Sequence, residues 1–207
     1  MTRRYFIEQV LRQVYGGQPN DDANITEGLV NSYLNEAIGA VARKNYTDSY
    51  TLDGVAYLNN SFYTTYKNLD ITQEENYLFK FTLPQLPVGV GRNEGVASVQ
   101  LKDGQDSSKE VVILSMNEVS YLTSARPIQN RIVGWNEGDV FYLKSTIPLY
   151  DYTAKVRVVS GGDSADLDSK INVPDDYIPQ IREYVVKQLI FERGQKKDAA
   201  NDGTDVS

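Results

Sequence analysis

The chain of 207 residues contains no cysteine and no histidine. The first absence excludes disulfides, thiolate metal sites and cysteine nucleophiles. The second removes the commonest general base and the commonest transition-metal ligand, and with them every Ser–His or Cys–His mechanism. Hydrolytic chemistry would have to rely on carboxylates, lysine or a carboxylate-held hard cation. Basic residues are also short, 21 against 28 acidic ones, for a net charge of −7. That balance excludes a broad basic surface for wrapping nucleic acid and leaves room for an acidic wall past which DNA slides. Long apolar runs are missing too: nothing approaches the roughly 18 residues of a membrane span. Near the start, Glu8 and Gln9 interrupt the apolar run too early for a signal peptide. The expectation is a soluble protein made in a cytoplasm, with no membrane partner.

What the chain has in excess is tyrosine, 15 residues against six Phe and one Trp. Tyrosine suits half-buried strand faces and interfaces, where one end is dry and the other wet. Solvated strand faces and protein contacts explain the excess equally well.

Periodicity divides the chain into helical ends and a β-rich middle. Thr2 is placed to cap a helix over residues 3–15, in which Phe6, Ile7, Val10, Leu11 and Val14 share a face, with Gly16 and Gly17 as its stop. A second helix is expected over 24–44, opened by Asn24 with Glu27 as a capping box. Its apolar stripe runs Leu29, Val30, Tyr33, Leu34, Ala37, Ile38, Val41. The period then changes to two, predicting strands at 49–52, 62–69, 77–83, 96–101 and 110–114, with a short helical piece opening at Met116 and Asn117. Asn136, Glu137, Gly138 and Asp139 read as a four-residue hairpin loop between strands 131–135 and 140–145, and a last strand covers 154–160. A closing helix is expected over 176–193, with Asp175 and Asp176 where the helix dipole favours negative charge. The fold class is therefore α+β: a helical bundle of two N-terminal helices and a long C-terminal helix, with an antiparallel β-rich middle. It forms one domain over 1–193, followed by a flexible tail over 194–207.

Few residue groups offer chemistry. Gly89, Val90, Gly91 and Gly95 lack the Lys–Ser/Thr and following helix of a phosphate loop, so a strand connection is expected there. Asp163, Asp166 and Asp168 do not have the spacing of an EF-hand and read as a solvated acidic loop. No carboxylate pair stands out for glycoside hydrolysis. The expectation is a protein that is not an enzyme, with no catalytic, metal-binding or cofactor-binding residues. Arg3, Arg4 and Arg12 give the first helix a basic side, read either as a DNA- or portal-facing patch or as plain solvated charge. The segment after Gly194 is either a loose end or a docking element, in which case Gln195, Lys196, Lys197, Asp205 and Val206 are the partner-docking candidates.

The order of elements resembles that of the head–tail connector proteins of tailed bacteriophages, also called adaptor or neck ring proteins. The likeness is carried by residues 29–46, by YLFKFTLP at 77–84, EGDVFYLKS at 137–145 and VPDDYIPQIREYVVKQLIFER at 173–193. The wording is most similar to ring proteins of crAss-like phages. The resemblance implies a virion structural protein, assembled in the bacterial host cytoplasm and located in the neck or tail region. Its partners would be further copies in a homo-oligomeric ring, by resemblance a dodecamer, together with the portal protein and adjacent ring or tail proteins. Double-stranded DNA would pass through the channel without sequence-specific binding. The alternative is a β-rich glycan- or protein-binding module of a phage tail, using exposed Tyr side chains and Trp135.

Overall fold

The structure, a computed structural model, describes residues 1–17, 25–90, 95–104, 108–115, 118–119 and 131–201, with the backbone alone for 193–201. It is mixed α+β, with helices and largely antiparallel sheets. Contacts divide the chain into two compact units. One comprises Met1–Lys44 with the segment from Gly161 onward; the other is Asn45–Ser160. Among the described residues no helix is long and apolar enough to cross a membrane.

The first unit holds α1 (Arg3–Tyr15), the N-terminal part of α2 (Glu27–Asp53) and α3 (Ile178–Asn201). In α1 the predicted apolar face is the buried one: Phe6, Ile7, Val10, Leu11 and Val14. Thr2 caps it, its hydroxyl accepting from the Tyr5 amide at 3.4 Å, and Gly16 closes it at φ 70°. Two more of the first-turn amides, which no helix can satisfy internally, donate to a facing loop: Arg3 N to Ser169 O at 3.0 Å and Arg4 N to Leu167 O at 2.7 Å. On α2, Val30, Leu34, Ala37, Ile38, Val41 and Ala42 are buried.

The cap of α2 is Thr26, whose Oγ1 accepts from the Leu29 amide at 3.2 Å; the expected cap, Asn24, lies outside the described residues. The strand expected at 49–52 is instead the end of α2, which runs on to Asp53. Alternating Thr, Ser and Tyr suggested a strand there, but propensity is a weak prior. Ser49 is buried, and its single O–H is within donating distance of both Tyr57 O, at 2.7 Å, and Tyr46 O, at 2.9 Å, which fits a helical turn packed under the returning loop. A 3₁₀ turn at Asp175–Tyr177 leads into α3, which continues beyond the expected end at Arg193 to Asn201.

The second unit is built from β1 (Tyr63–Asp70), β2 (Thr72–Glu75), β3 (Leu78–Thr82), β4 (Val96–Asp103), β5 (Ser108–Glu110), β6 (Val112–Ile113), β7 (Val133–Glu137), β8 (Val140–Lys144) and β9 (Tyr152–Val159). They form a four-stranded sheet in the order β1-β9-β4-β5 and a five-stranded sheet in the order β2-β3-β8-β7-β6. All pairs are antiparallel except β6 with β7. The strand expected at 110–114 divides at Val111, where the chain leaves one sheet for the other: Val111 N bonds Val99 O, and Val112 N bonds Ile132 O. The hairpin loop is two residues, not four, since Glu137 already pairs with Val140. Gly138, at φ 64°, is the first loop residue, as a type II′ turn requires. The helical piece expected from Met116 lies mostly outside the described residues.

Alternate residues of both sheets meet in one core that includes Phe79, Phe81, Val99, Leu101, Phe141, Leu143, Val156 and Val158. The rings of Phe81 and Phe141 stack with centroids 5.1 Å apart. On β9 Thr153, Lys155 and Arg157 alternate to the opposite face, while Val159 at the strand end is buried.

In the first unit, Gly162 is under the tightest local constraint. At φ 94°, a Cβ added there would lie 2.4 Å from the carbonyl oxygen of Lys170, a backbone atom that cannot step aside. Gly162→Ala is expected to destabilise the chain by at least about 2 kcal/mol, combining left-handed strain with that clash. A shift of the urea midpoint checks this, and an unchanged midpoint would refute it.

Candidate functional site

The open face of the four-stranded sheet carries the most organised polar cluster in the second unit. It begins at the end of α2. Ser49 holds the returning chain by accepting from the Tyr57 amide at 3.1 Å, and Asn45 Oδ1 accepts from the Asn59 amide at 3.1 Å. Asn59 in turn caps a 3₁₀ turn at Asn60–Phe62, its side chain accepting from Ser61 N at 3.0 Å, while Phe62 is fully buried beneath. This fixes Asn60 and delivers Tyr63 as the first residue of β1.

On the face itself, register brings three strands together. Arg157 of β9 lies between Thr65 of β1 and Ser98 of β4, and Lys155 lies beside Gln100. The Arg157 guanidinium sits over the Tyr63 ring, 4.4 Å from its centroid, and donates to Asn60 Oδ1 at 2.8 Å. Burial pushes the Tyr63 phenol above its ordinary pKa, and the Arg157 charge opposes that shift. These side chains line a cleft of about 490 Å³. Tyr63 also borders a second cleft of about 370 Å³, lined by Tyr46, Tyr57, Val90 and Val159 among others. The glycine-rich segment ends beside it: Val88 N donates to Val159 O and Gly95 O accepts from Val159 N, both at 2.8 Å, so its described ends are pinned to β9.

The sequence-predicted residues lie in the first unit. Arg3 is fully buried. Its Nη1 donates to Asn31 Oδ1 at 2.7 Å and Asn35 Oδ1 at 2.8 Å, and its Nη2 to Gly161 O at 3.2 Å. It therefore does not share a surface with Arg4, which is exposed and paired with Asp168 at 2.7 Å. That hydrogen bond and charge hold the Asp168 carboxyl below its ordinary pKa. Arg12 is exposed one helical turn from the end of α1. Asp163 and Asp166 accept from the amides of Ala165 and Asp168, each at 2.9 Å, making local turns. Gln195, Lys196 and Lys197 fall on the backbone of α3, while Asp205 and Val206 lie outside the described residues.

Trp135, expected to present an exposed ring, is only 9% exposed. It stacks on Tyr142 at 5.6 Å and donates its Nε1–H to Glu137 at 2.9 Å. Among the described residues no three acidic side chains are grouped to hold a metal ion. The Asn60–Tyr63–Arg157 cluster was missed at the sequence level because its members lie about a hundred residues apart; only the alternation of Lys155 and Arg157 with buried Ala154, Val156 and Val158 hinted at it.

Arg3 supplies the test of this placement. Arg3→Ala strands three oxygen acceptors in a buried site, at about 1–3 kcal/mol for each one left unsatisfied. A total loss of roughly 3 kcal/mol or more is expected in urea unfolding, whereas Arg12→Ala should fall within about 0.5 kcal/mol of the parent. Equal, small effects of the two would show that Arg3 is a surface residue after all.

No protein-family model matches the chain, and no curated protein is significantly similar to it.

Proposed function

We propose that the chain is a virion structural protein, one subunit of a neck ring that docks below the portal, extends the DNA channel and joins capsid to tail. The observation that carries this reading is an apolar exposure on each of the two units. In the second unit Tyr50, Leu52, Val55 and Tyr57 are 62%, 82%, 65% and 54% exposed within one stretch of chain. In the first unit, adjacent Ile190 and Phe191 on α3 are 55% and 63% exposed. Singly exposed apolar residues are ordinary, but clusters mark contact surfaces. A ring needs two different surfaces on every subunit, because head-to-tail contacts are heterologous. Two unlike patches suit that requirement better than one self-complementary face would.

In this reading α1, the start of α2 and α3 act as the helical bundle, and the β unit contacts neighbouring subunits and the next ring. The net charge of −7 suits a channel wall that does not hold DNA. The end of α3 and the residues after it serve as the docking element toward the portal or an adjacent ring, and deleting 194–207 weakens that binding.

Heterologous closure has a sharp signature. Leu52→Asp with Val55→Asp should block one surface, and Ile190→Asp with Phe191→Asp the other. Each double variant alone should form no ring, with or without the portal protein encoded beside it. Mixed together, the two should form a dimer and stop there, since one intact pair of surfaces remains. A parent chain that stays monomeric and ignores the portal would overturn the proposal, as would rings formed by either variant.

A further inference from the structure

We propose that the cleft around Arg157 on the four-stranded sheet is a binding site for a short, extended acidic segment of a partner protein, read through two carboxylates by Arg157 and Lys155. The inference does not depend on the ring reading.

Two cations line the cleft and no carboxylate does. In a chain with an excess of acids, that is a local reversal of sign. Both cations also have donors to spare. The Lys155 ammonium has no hydrogen bond or ion pair among the described residues. The guanidinium of Arg157 has five N–H donors, and its hydrogen bonding among those residues goes to Asn60 alone. Held over Tyr63 and tethered by Asn60, it has already lost much of the rotamer freedom that binding would otherwise cost. Thr65, Ser98 and Gln100 surround the pair with neutral groups able to bond a peptide backbone or a carboxylate's remaining lone pairs.

Spacing selects the ligand. Lys155 and Arg157 are two residues apart on one strand, which places their Cα atoms roughly 7 Å apart on the same face. An extended peptide repeats its side chains at the same interval, so acids at alternate positions match the two cations in register. A longer polyanion is matched less well. Asp70 sits opposite Thr153, one rung beyond Lys155, with Lys102 on the other side of Thr153, and Glu110 sits beyond Gln100. These two acids stand on the strands either side of β9 and offset the attraction that Lys155, Arg157 and Lys102 would exert on a continuing phosphate backbone. The arrangement therefore favours a protein segment with two or three acids over nucleic acid.

The test uses the full chain and a fluorescein-labelled hexaglutamate peptide, followed by anisotropy at low salt. Sub-millimolar binding is expected, weakened about tenfold or more by Arg157→Ala and similarly by Lys155→Ala, and fading as salt rises. Lys144→Ala, on the other sheet, should leave it unchanged. Circular dichroism checks the fold of each variant, and Lys155→Ala keeps the test decisive if Arg157→Ala unfolds. Inorganic phosphate and a twelve-nucleotide single strand form the comparison arms. Absence of peptide binding would overturn the proposal, as would binding indifferent to both substitutions. Tighter binding of the single strand, lost with Arg157→Ala, would overturn it in favour of a phosphate-backbone site.

Discussion

A guanidinium without solvent must be met by oxygen, and Arg3 imposes that condition on the first unit. Its side chain takes acceptors from two turns of α2 and from Gly161, so residues distant in sequence have to arrive together. Asn31 extends the demand by donating to Ser164 O at 2.9 Å. The backbone around Arg3 makes the same connection by another route, since Met1, Arg3 and Arg4 bond the 167–171 loop. The charge is expensive to bury and is retained where several hydrogen bonds converge on it. Arg3 thereby specifies an arrangement that apolar contacts alone would leave less determined.

The second unit rests on a different principle. Its two sheets share one apolar core, and alternation along the middle of β9 makes its outer face a by-product of the inner one. Because Ala154, Val156 and Val158 point inward, Lys155 and Arg157 have to point out. The organisation of that outer face then comes from the turn after α2, where Asn59 and Asn60 place Tyr63 beneath the guanidinium. The layout of this face is thus a consequence of core patterning together with one well-capped turn.

Legibility in the sequence followed the range of the interactions. The bounds of α1, its Thr2 cap and its apolar face were readable because they depend on neighbours three and four residues away. The strands with clean alternation were readable for the same reason. What was not readable depended on distant partners. The helical turn at Ser49 is supported by the Tyr57 loop, and the division at Val111 by two different sheets. Arg3 looked like surface charge because its acceptors, Asn31, Asn35 and Gly161, are polar or featureless in a linear reading. The Arg157 cleft has the same origin: its members come from three strands and a turn, and only register unites them.

The division of the chain also has an order in time. The β unit is one continuous stretch, 45–160, and its core draws on residues within that stretch alone. The helical unit is assembled from both sides of it. During synthesis the β unit can therefore close while the later residues are still being added. The first helix meanwhile carries Phe6, Ile7, Val10 and Leu11 with its partners from α3 not yet made. A nascent chain of this kind exposes its earliest apolar face longest, which makes α1 the segment on which a chaperone has most time to act.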